Sequence, residues 1–412
     1  MPRLDKNEII NSFSSTITNP QPISIAILNT PCNGFGDIIF ALKLKRYLES
    51  WYHFATIKII TTKTKSFISL GEKENTLIQL GSISNVEDCR RFQRLTPTSI
   101  LPFFDLIFVA PLQFDFAPSI ADVRHLIPYA DKFNTYFFSE YNDELNKKFD
   151  FNTGIGKGRD GMFFVDIPFK QSESNEFLNR HNLHRDKYAI CYIAETIDNA
   201  KQCYLSFFEM VANKYKQSHF TIVCPEWIAN SVHRYLNRIY PYFSTVVIST
   251  KTETKIYEQK DIKDKKEKHA KKKSMKTSKN KKITNKNTLY IRGDVFPVPN
   301  RDMLMLIKNS CDDLLTTGDQ SISDSLIFLK KNIWYQIAPW KEDLAKELSR
   351  LLPNQFYRNK KTSCGTLTGI SLRSDYREFV KKWDFRKIAK PKLNKIINLA
   401  ICRKNKDKKC NF

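Results

Sequence analysis

The chain has 412 residues, 41% of them apolar and 27% charged, so it is too long for a single small module and apolar enough to bury a core. Lys and Arg number 67 against 43 Asp and Glu, a net charge of +24. That balance excludes an acidic disordered chain and points first to nucleic acid or another anionic partner.

Residues 1–20 form a polar extension with Asp5, Glu8 and no apolar stretch, unlike a signal peptide. A strand is predicted over 21–30, then a glycine turn at Asn33-Gly34-Phe35-Gly36-Asp37. A helix follows over 38–51, with Ile39, Leu42, Leu44, Tyr47 and Leu48 at helical spacing. Further strands are predicted at 55–61, 76–80 and 106–110. Strand, glycine turn, helix, strand is the opening of an α/β domain, here 21–175, with glycines and prolines over 150–168 marking a loop or linker region.

A second α/β pattern spans 186–370. Strands are predicted at 188–194, 220–223, 244–249, 288–291, 314–316 and 333–337, with helices at 205–215, from 226 through 235, at 303–309 and at 322–329. Residues 251–288 interrupt it with 15 Lys against five acids, a net of +10, and Tyr257 as their one aromatic. Such a stretch cannot bury a face and reads as a disordered or fraying insertion. The last segment, 371–412, is predicted helical over 376–400 with Pro391 interrupting it. Residues 403–409 add +4, which leaves +10 on the remainder of the chain.

No run of 18 apolar residues is present, so no membrane-crossing segment is expected. The nine Cys are odd in number and lack a Cys-x-x-Cys pair. Cys191 and Cys224 fall in apolar strands. The set suits the cytoplasm or another reducing compartment, without a disulfide framework. His181 and His184 stand three apart with no further ligand nearby, so no metal site is expected. Tracts such as 276–287, rich in Lys and Asn, suit an A/T-rich coding sequence. That composition fits a large DNA virus or an intracellular bacterium, and so places a viral protein, in host cytoplasm or virion, among the settings expected.

Two loops carry the chemistry. Asn33-Gly34-Phe35-Gly36-Asp37-Ile38 joins a strand to a helix, where glycine lets the backbone turn and the next helix offers free N–H groups to a ligand. It lacks the full dinucleotide fingerprint and the Gly-Lys-Ser/Thr of a P-loop. Asp37 can cap the helix or point into a cleft as a general base. In the second loop, Thr317, Gly318 and Ser321 offer hydroxyl and amide donors to a diphosphate, and Asp319 and Gln320 sit where a sugar hydroxyl would lie. The plainer reading is a helix start with Ser321 and Asp324 as its polar residues. Arg292 and Lys341 are further candidates to meet phosphate.

Together the two loops resemble the GT-B glycosyltransferase superfamily. Among its members, they are similar to the bacterial rhamnosyltransferases that modify an arginine of elongation factor P, and to heptosyltransferases. Phe35, Gly36, Asp37 and Ile38 match the acceptor-side loop, in which Asn33-Gly34 stands where Asp-Asn is usual. Gly318 and Ser321 match the donor loop, where Thr317, Asp319 and Gln320 replace Arg, Glu and Asp. The resemblance implies two facing Rossmann-like domains and a C-terminal helix returning to the first. It implies a nucleotide-sugar as donor substrate, no cofactor and no metal. Asp37 and Asp319 become the catalytic candidates, Arg292, Thr317, Gly318, Gln320 and Ser321 the donor-binding ones, and Asn33, Gly34, Phe35 and Gly36 the acceptor-side loop. The acceptor is open: protein, glycan or small molecule. Alternatives are a nucleic-acid-binding or virion-associated structural protein using the Lys-rich stretch, an inactive scaffold of the same fold, and a sugar epimerase.

Overall fold

A computed structural model describes residues 21–32, 35–81, 95, 101–113, 115, 117–166, 169–239, 241–258, 287–328, 332–352, 358–371 and 377–405. Asn33, Gly34 and residues 259–286 of the Lys-rich stretch lie outside the described residues.

The N-terminal half is built on a five-stranded parallel sheet. β1 (Ile23–Asn29) leads into α1 (Gly36–Trp51), then β2 (Ala55–Thr61), α2 (Thr64–Ser69) and β3 (Leu77–Gln79). β4 (Leu106–Leu112), α3 (Ile120–Leu126) and β5 (Thr135–Ser139) complete it, in the order β3-β2-β1-β4-β5. The strands read as nearly continuous Ile, Leu, Val and Phe because helices and loops cover both faces of a parallel sheet. Ile25, Ala26, Ile27 and Leu28 are all buried, so successive side chains on opposite faces of β1 are shielded.

The C-terminal half carries the second sheet. Its elements are α4 (Gln171–Arg180), β6 (Tyr188–Tyr192), α5 (Ala200–Lys214), β7 (Phe220–Val223), α6 (Glu226–Val232), β8 (Thr245–Ser249) and β9 (Thr254–Glu258). β10 (Thr288–Arg292), α7 (Asn300–Asn309), β11 (Asp313–Thr317), α8 (Asp319–Leu326), β12 (Asn332–Gln336) and α9 (Glu342–Leu351) follow. β13 (Arg358–Thr362) and β14 (Gly365–Ser371) form an antiparallel hairpin on the β12 edge. The nine strands run β13-β14-β12-β11-β6-β7-β10-β8-β9, parallel from β12 to β8 and antiparallel at both ends.

Several expectations change. Residues 254–258, read as part of a disordered insertion, form β9, paired antiparallel to β8 from Thr245–Glu258 to Ser249–Thr254. The loop or linker region over 150–168 packs into the core. Phe151, Ile155, Met162, Phe163 and Phe164 are buried, and Phe163 packs edge-on against Phe40 of α1 at 4.6 Å. Pro391 does not interrupt the last helix but starts it. α10 (Arg377–Lys382) and α11 (Phe385–Ile388) precede α12 (Lys390–Lys404), which has proline in its first turn, where no N–H is needed. Cys32 and Cys402 each take part in a disulfide, contrary to the expectation of no disulfides, whereas Cys191, Cys203, Cys224 and Cys364 are free thiols.

α12 returns to the N-terminal half. Lys404 meets Asp105 at 3.0 Å and the Pro22 carbonyl at 2.8 Å, and Arg403 meets Asp131 at 3.2 Å. Buried Leu393, Ile396, Ile397 and Ile401 share one core with the β1 and α1 residues. Among the described residues no helix is long and apolar enough to cross a membrane.

Candidate active site

The C-terminal ends of the parallel strands in both halves open onto one cavity of about 1030 Å³. This is where open α/β sheets present their loops to ligands. From the N-terminal half come Phe35, Gly36 and Asp37 at the start of α1, Leu112 and Gln113 after β4, and Glu140 after β5. From the other half come Tyr192 to Ile197 after β6, Pro225 to Trp227 after β7, Thr317 to Ser321 after β11, and Ala338, Trp340 and Lys341 after β12.

The Asp37 loop is held from behind. The buried Asn29 amide, at the end of β1, donates to the carbonyls of Asp37 at 3.1 Å and Ala110 at 2.8 Å. Lys63 donates to the Cys32 carbonyl. Asp37 does not cap its helix: Phe35 is the N-cap, without a side-chain cap bond. Its Oδ2 instead accepts from the Cys32 N–H at 3.4 Å. Burial, then the Glu140 carboxylate, push the Asp37 carboxyl up from 3.8 to about 7; the nearby Asp319 carboxylate adds to this, against the Cys32 N–H and Lys341. A group poised there can take a proton at neutral pH.

On the facing side, Gly318 is the N-cap of α8 with φ 77°, a left-handed conformation that explains glycine at this turn. Asp319 occupies the first position of α8. Its Oδ2 accepts from the Tyr141 N–H at 3.1 Å and lies 2.9 Å from Lys341 Nζ, while its Oδ1 is buried without a hydrogen-bond partner. Burial raises the Asp319 carboxyl to about 6, although the Lys341 ammonium opposes the shift. Lys341 also pairs with Glu140 of the other half. Burial disfavours its charge, but the Asp319 and Glu140 carboxylates outweigh that and hold Lys341 well above its ordinary value. The result is a lysine bridging two carboxylates from two halves, with a third carboxylate, Asp37, close enough to feel them.

The remaining candidates divide. Gln320 and Ser321 line the cavity with Thr317 and Gly318, but the Thr317 hydroxyl donates to the Gln336 carbonyl at 2.9 Å, leaving its oxygen to accept rather than donate to a ligand. Arg292 is away from the cavity lining. Its guanidinium grips Asp294 through two bonds of 2.6 and 2.8 Å and donates to the His181 carbonyl at 3.1 Å. Asp324, read as a helix-start residue, is buried in α8 and paired with Lys43 of α1 at 2.6 Å. Of the adjacent pair Asp312 and Asp313, the first is exposed and the second buried, held by Lys214, Tyr215, Asn332 and Trp334. Among the described residues no three His, Cys, Asp or Glu are arranged to hold a metal ion.

Glu140 has no counterpart among the sequence candidates, because an isolated acid after a strand carries no motif. Lys341, expected to meet phosphate, instead pairs with two carboxylates. Its one signal in the sequence is its position just after a predicted strand.

Neither a protein-family model nor a curated protein sequence matches the chain. Among solved structures, it is similar to heptosyltransferase II of E. coli, with 11% identity, coverage of 76% of this chain and 84% of that one, and a TM-score of 0.38. A glycosyl transferase family 9 structure from Veillonella parvula gives 10% identity, 81% and 90% coverage and a TM-score of 0.38. A Methanocaldococcus jannaschii UDP-GlcNAc 2-epimerase in complex with UDP-GlcNAc and UDP gives 13%, 88%, 99% and 0.39.

Proposed function

We propose that the protein is a GT-B-type glycosyltransferase that moves a sugar from a nucleotide-sugar donor to an acceptor hydroxyl or other nucleophile by direct displacement. The observation that supports this most is the shared cavity. The first turns of α1 and α8, from opposite halves, both line it, and Asp37 senses Glu140 of its own half and Asp319 of the other.

In this reading the donor diphosphate lies against the free N–H groups at the start of α8, in the turn that Gly318 keeps open. Lys341 supplies the fixed positive charge there, and its two carboxylates keep it protonated. The sugar faces Asp319 and Gln320. Asp37 takes the proton from the acceptor as its oxygen attacks the anomeric carbon. The bond from that carbon to the diphosphate oxygen breaks on the opposite face, so the configuration inverts. The proton ends on Asp37, and the electron pair leaves with the nucleoside diphosphate.

A thermal-shift panel of UDP-, GDP-, dTDP- and ADP-sugars tests the donor, followed by hydrolysis and transfer assays on any that bind. One donor is expected to raise the melting temperature and to lose its sugar. If no member of the panel stabilises the protein, the transferase reading fails.

A further inference from the structure

Lys43 is a fully buried charge that the transfer chemistry does not use. It lies on α1, where its neighbours Phe40, Ala41, Leu42 and Leu44 are all buried, and its own side chain is 0% exposed. Its ammonium crosses to the other half of the molecule, 2.6 Å from Asp324 Oδ1 and 3.2 Å from Ser323 Oγ, both on α8. It also donates to the Phe163 carbonyl at 3.4 Å. Asp324 Oδ2 accepts from the Asn300 amide at 3.4 Å, and the Asn300 carbonyl oxygen accepts from Arg46 of α1 at 3.0 Å. The network therefore leaves α1 at Lys43, passes through Asp324 and Asn300, and returns to α1 at Arg46, one turn on.

The placement of this network is specific. Lys43 is six residues beyond Asp37 on α1, and Asp324 is five beyond Asp319 on α8. At about 1.5 Å per helical residue, the pair sits roughly 8–9 Å behind the two first turns that face each other across the cavity. Lys341 and Glu140 make the corresponding crossing in front. Desolvation offsets most of the attraction in a buried ion pair, so such a pair contributes little net stability. Its best-attested use is to fix a register that apolar packing leaves free to slide.

We propose that Lys43 is a positioning residue: its buried pairing with Asp324 sets the register of α1 against α8 and so holds Asp37 opposite the Gly318 loop. The consequence for transfer rests on the transferase reading; the consequence for the relative position of the two halves does not.

The test uses spin labels on cysteines placed at exposed Glu74 and Gln217, one in each half, in a full chain whose half-buried free Cys364 is replaced by Ser, and double electron–electron resonance. Wild type is expected to give one narrow distance distribution. Lys43→Met strands the Asp324 carboxylate and is expected to broaden or shift that distribution. The double variant Lys43→Met/Asp324→Leu removes both charges. It is expected to recover the melting temperature to within a few degrees but not the narrow distribution, a split that a merely stabilising role would not produce. It also carries the comparison if the single variant does not fold. With a donor in hand, the double variant is expected to lose at least tenfold in kcat with a smaller change in KM. A double variant whose distance distribution superimposes on wild type overturns the proposal. A changed distribution in a protein that binds no nucleotide-sugar supports the register role and removes the transferase reading alone.

Discussion

Asp37→Asn separates the catalytic role of this residue from its cost to the fold. Asparagine keeps an oxygen to accept the Cys32 N–H but can neither ionise nor take a proton. Displacement of the carboxyl from 3.8 to about 7 disfavours its charged form in the folded state by about 4 kcal/mol, at about 1.4 kcal/mol per pH unit. The side chain is only half-buried against the cavity, so water there reduces the figure to about 2 kcal/mol. The sign follows from proton binding. Between about pH 4 and 7 the folded chain keeps a proton that the unfolded chain has released, so this site's contribution to stability falls as pH rises through that window and is flat above it. The asparagine side chain carries no such loss. The variant is therefore expected to melt about 2 °C above wild type at pH 8, and the gap should be smaller at pH 5. Transfer should fall by about 10²–10⁴-fold while the donor still binds. Differential scanning fluorimetry at both pH values and an initial-rate assay check the two halves of the statement. A gap that does not change with pH refutes the buried-carboxylate account. Transfer within tenfold of wild type refutes the base.

The same electrostatics predict proton uptake on donor binding. A diphosphate entering beside Asp37 and Asp319, at about 7 and about 6, raises both, so calorimetry at pH 7 in buffers of different ionisation enthalpy should show a net proton taken up. Lys341→Met leaves Glu140 and Asp319 facing each other without their cation. A loss of about 3 kcal/mol or more in stability and at least tenfold in donor affinity is expected, measured by denaturant unfolding and calorimetry. Gly318→Ala has open space for its Cβ but must adopt φ 77° and ψ 166°, so about 1–3 kcal/mol of destabilisation is expected from backbone strain alone, again read by denaturant unfolding. Asn29→Ala removes the donor to both the Asp37 and Ala110 carbonyls, for an expected loss of about 1–3 kcal/mol, and transfer should drop with it because the Asp37 loop loses its anchor.

Much of the fold was legible in order. The parallel strands β1, β2, β4, β6, β7, β8, β10, β11 and β12 are apolar runs bounded by turn residues, and burial on both faces writes that pattern directly into composition. The predicted elements do not include α2, α3, β5, α4, α9 or the β13–β14 hairpin. The amphipathic α9 buries Leu344, Ala345 and Leu348 on one face, a helical period that is written in the sequence. β13 (Arg-Asn-Lys-Lys-Thr) is polar throughout and becomes a strand because β14 pairs with it from Arg358–Gly369 to Thr362–Gly365. The same applies to β9 within the lysine-rich stretch: edge strands draw their order from a partner's backbone, and the side chains need no apolar face.

Local sequence was enough for two α/β patterns, two glycine-bearing strand-to-helix turns and an acid in each, Asp37 and Asp319. These follow from short-range rules, because periodicity and turn chemistry act over a few residues. How the acids are used was left to packing. Folding brought Glu140 and Lys341 to them from opposite halves, turned Asp324 from a helix-start residue into the partner of Lys43, and took Arg292 out of the site by pairing it with Asp294. Each of those outcomes is a pairing of charges, most of them between residues more than 20 positions apart. A lysine in a sequence carries no mark of which carboxylate will share its burial; packing the two sheets' strand ends against a common cavity makes that choice.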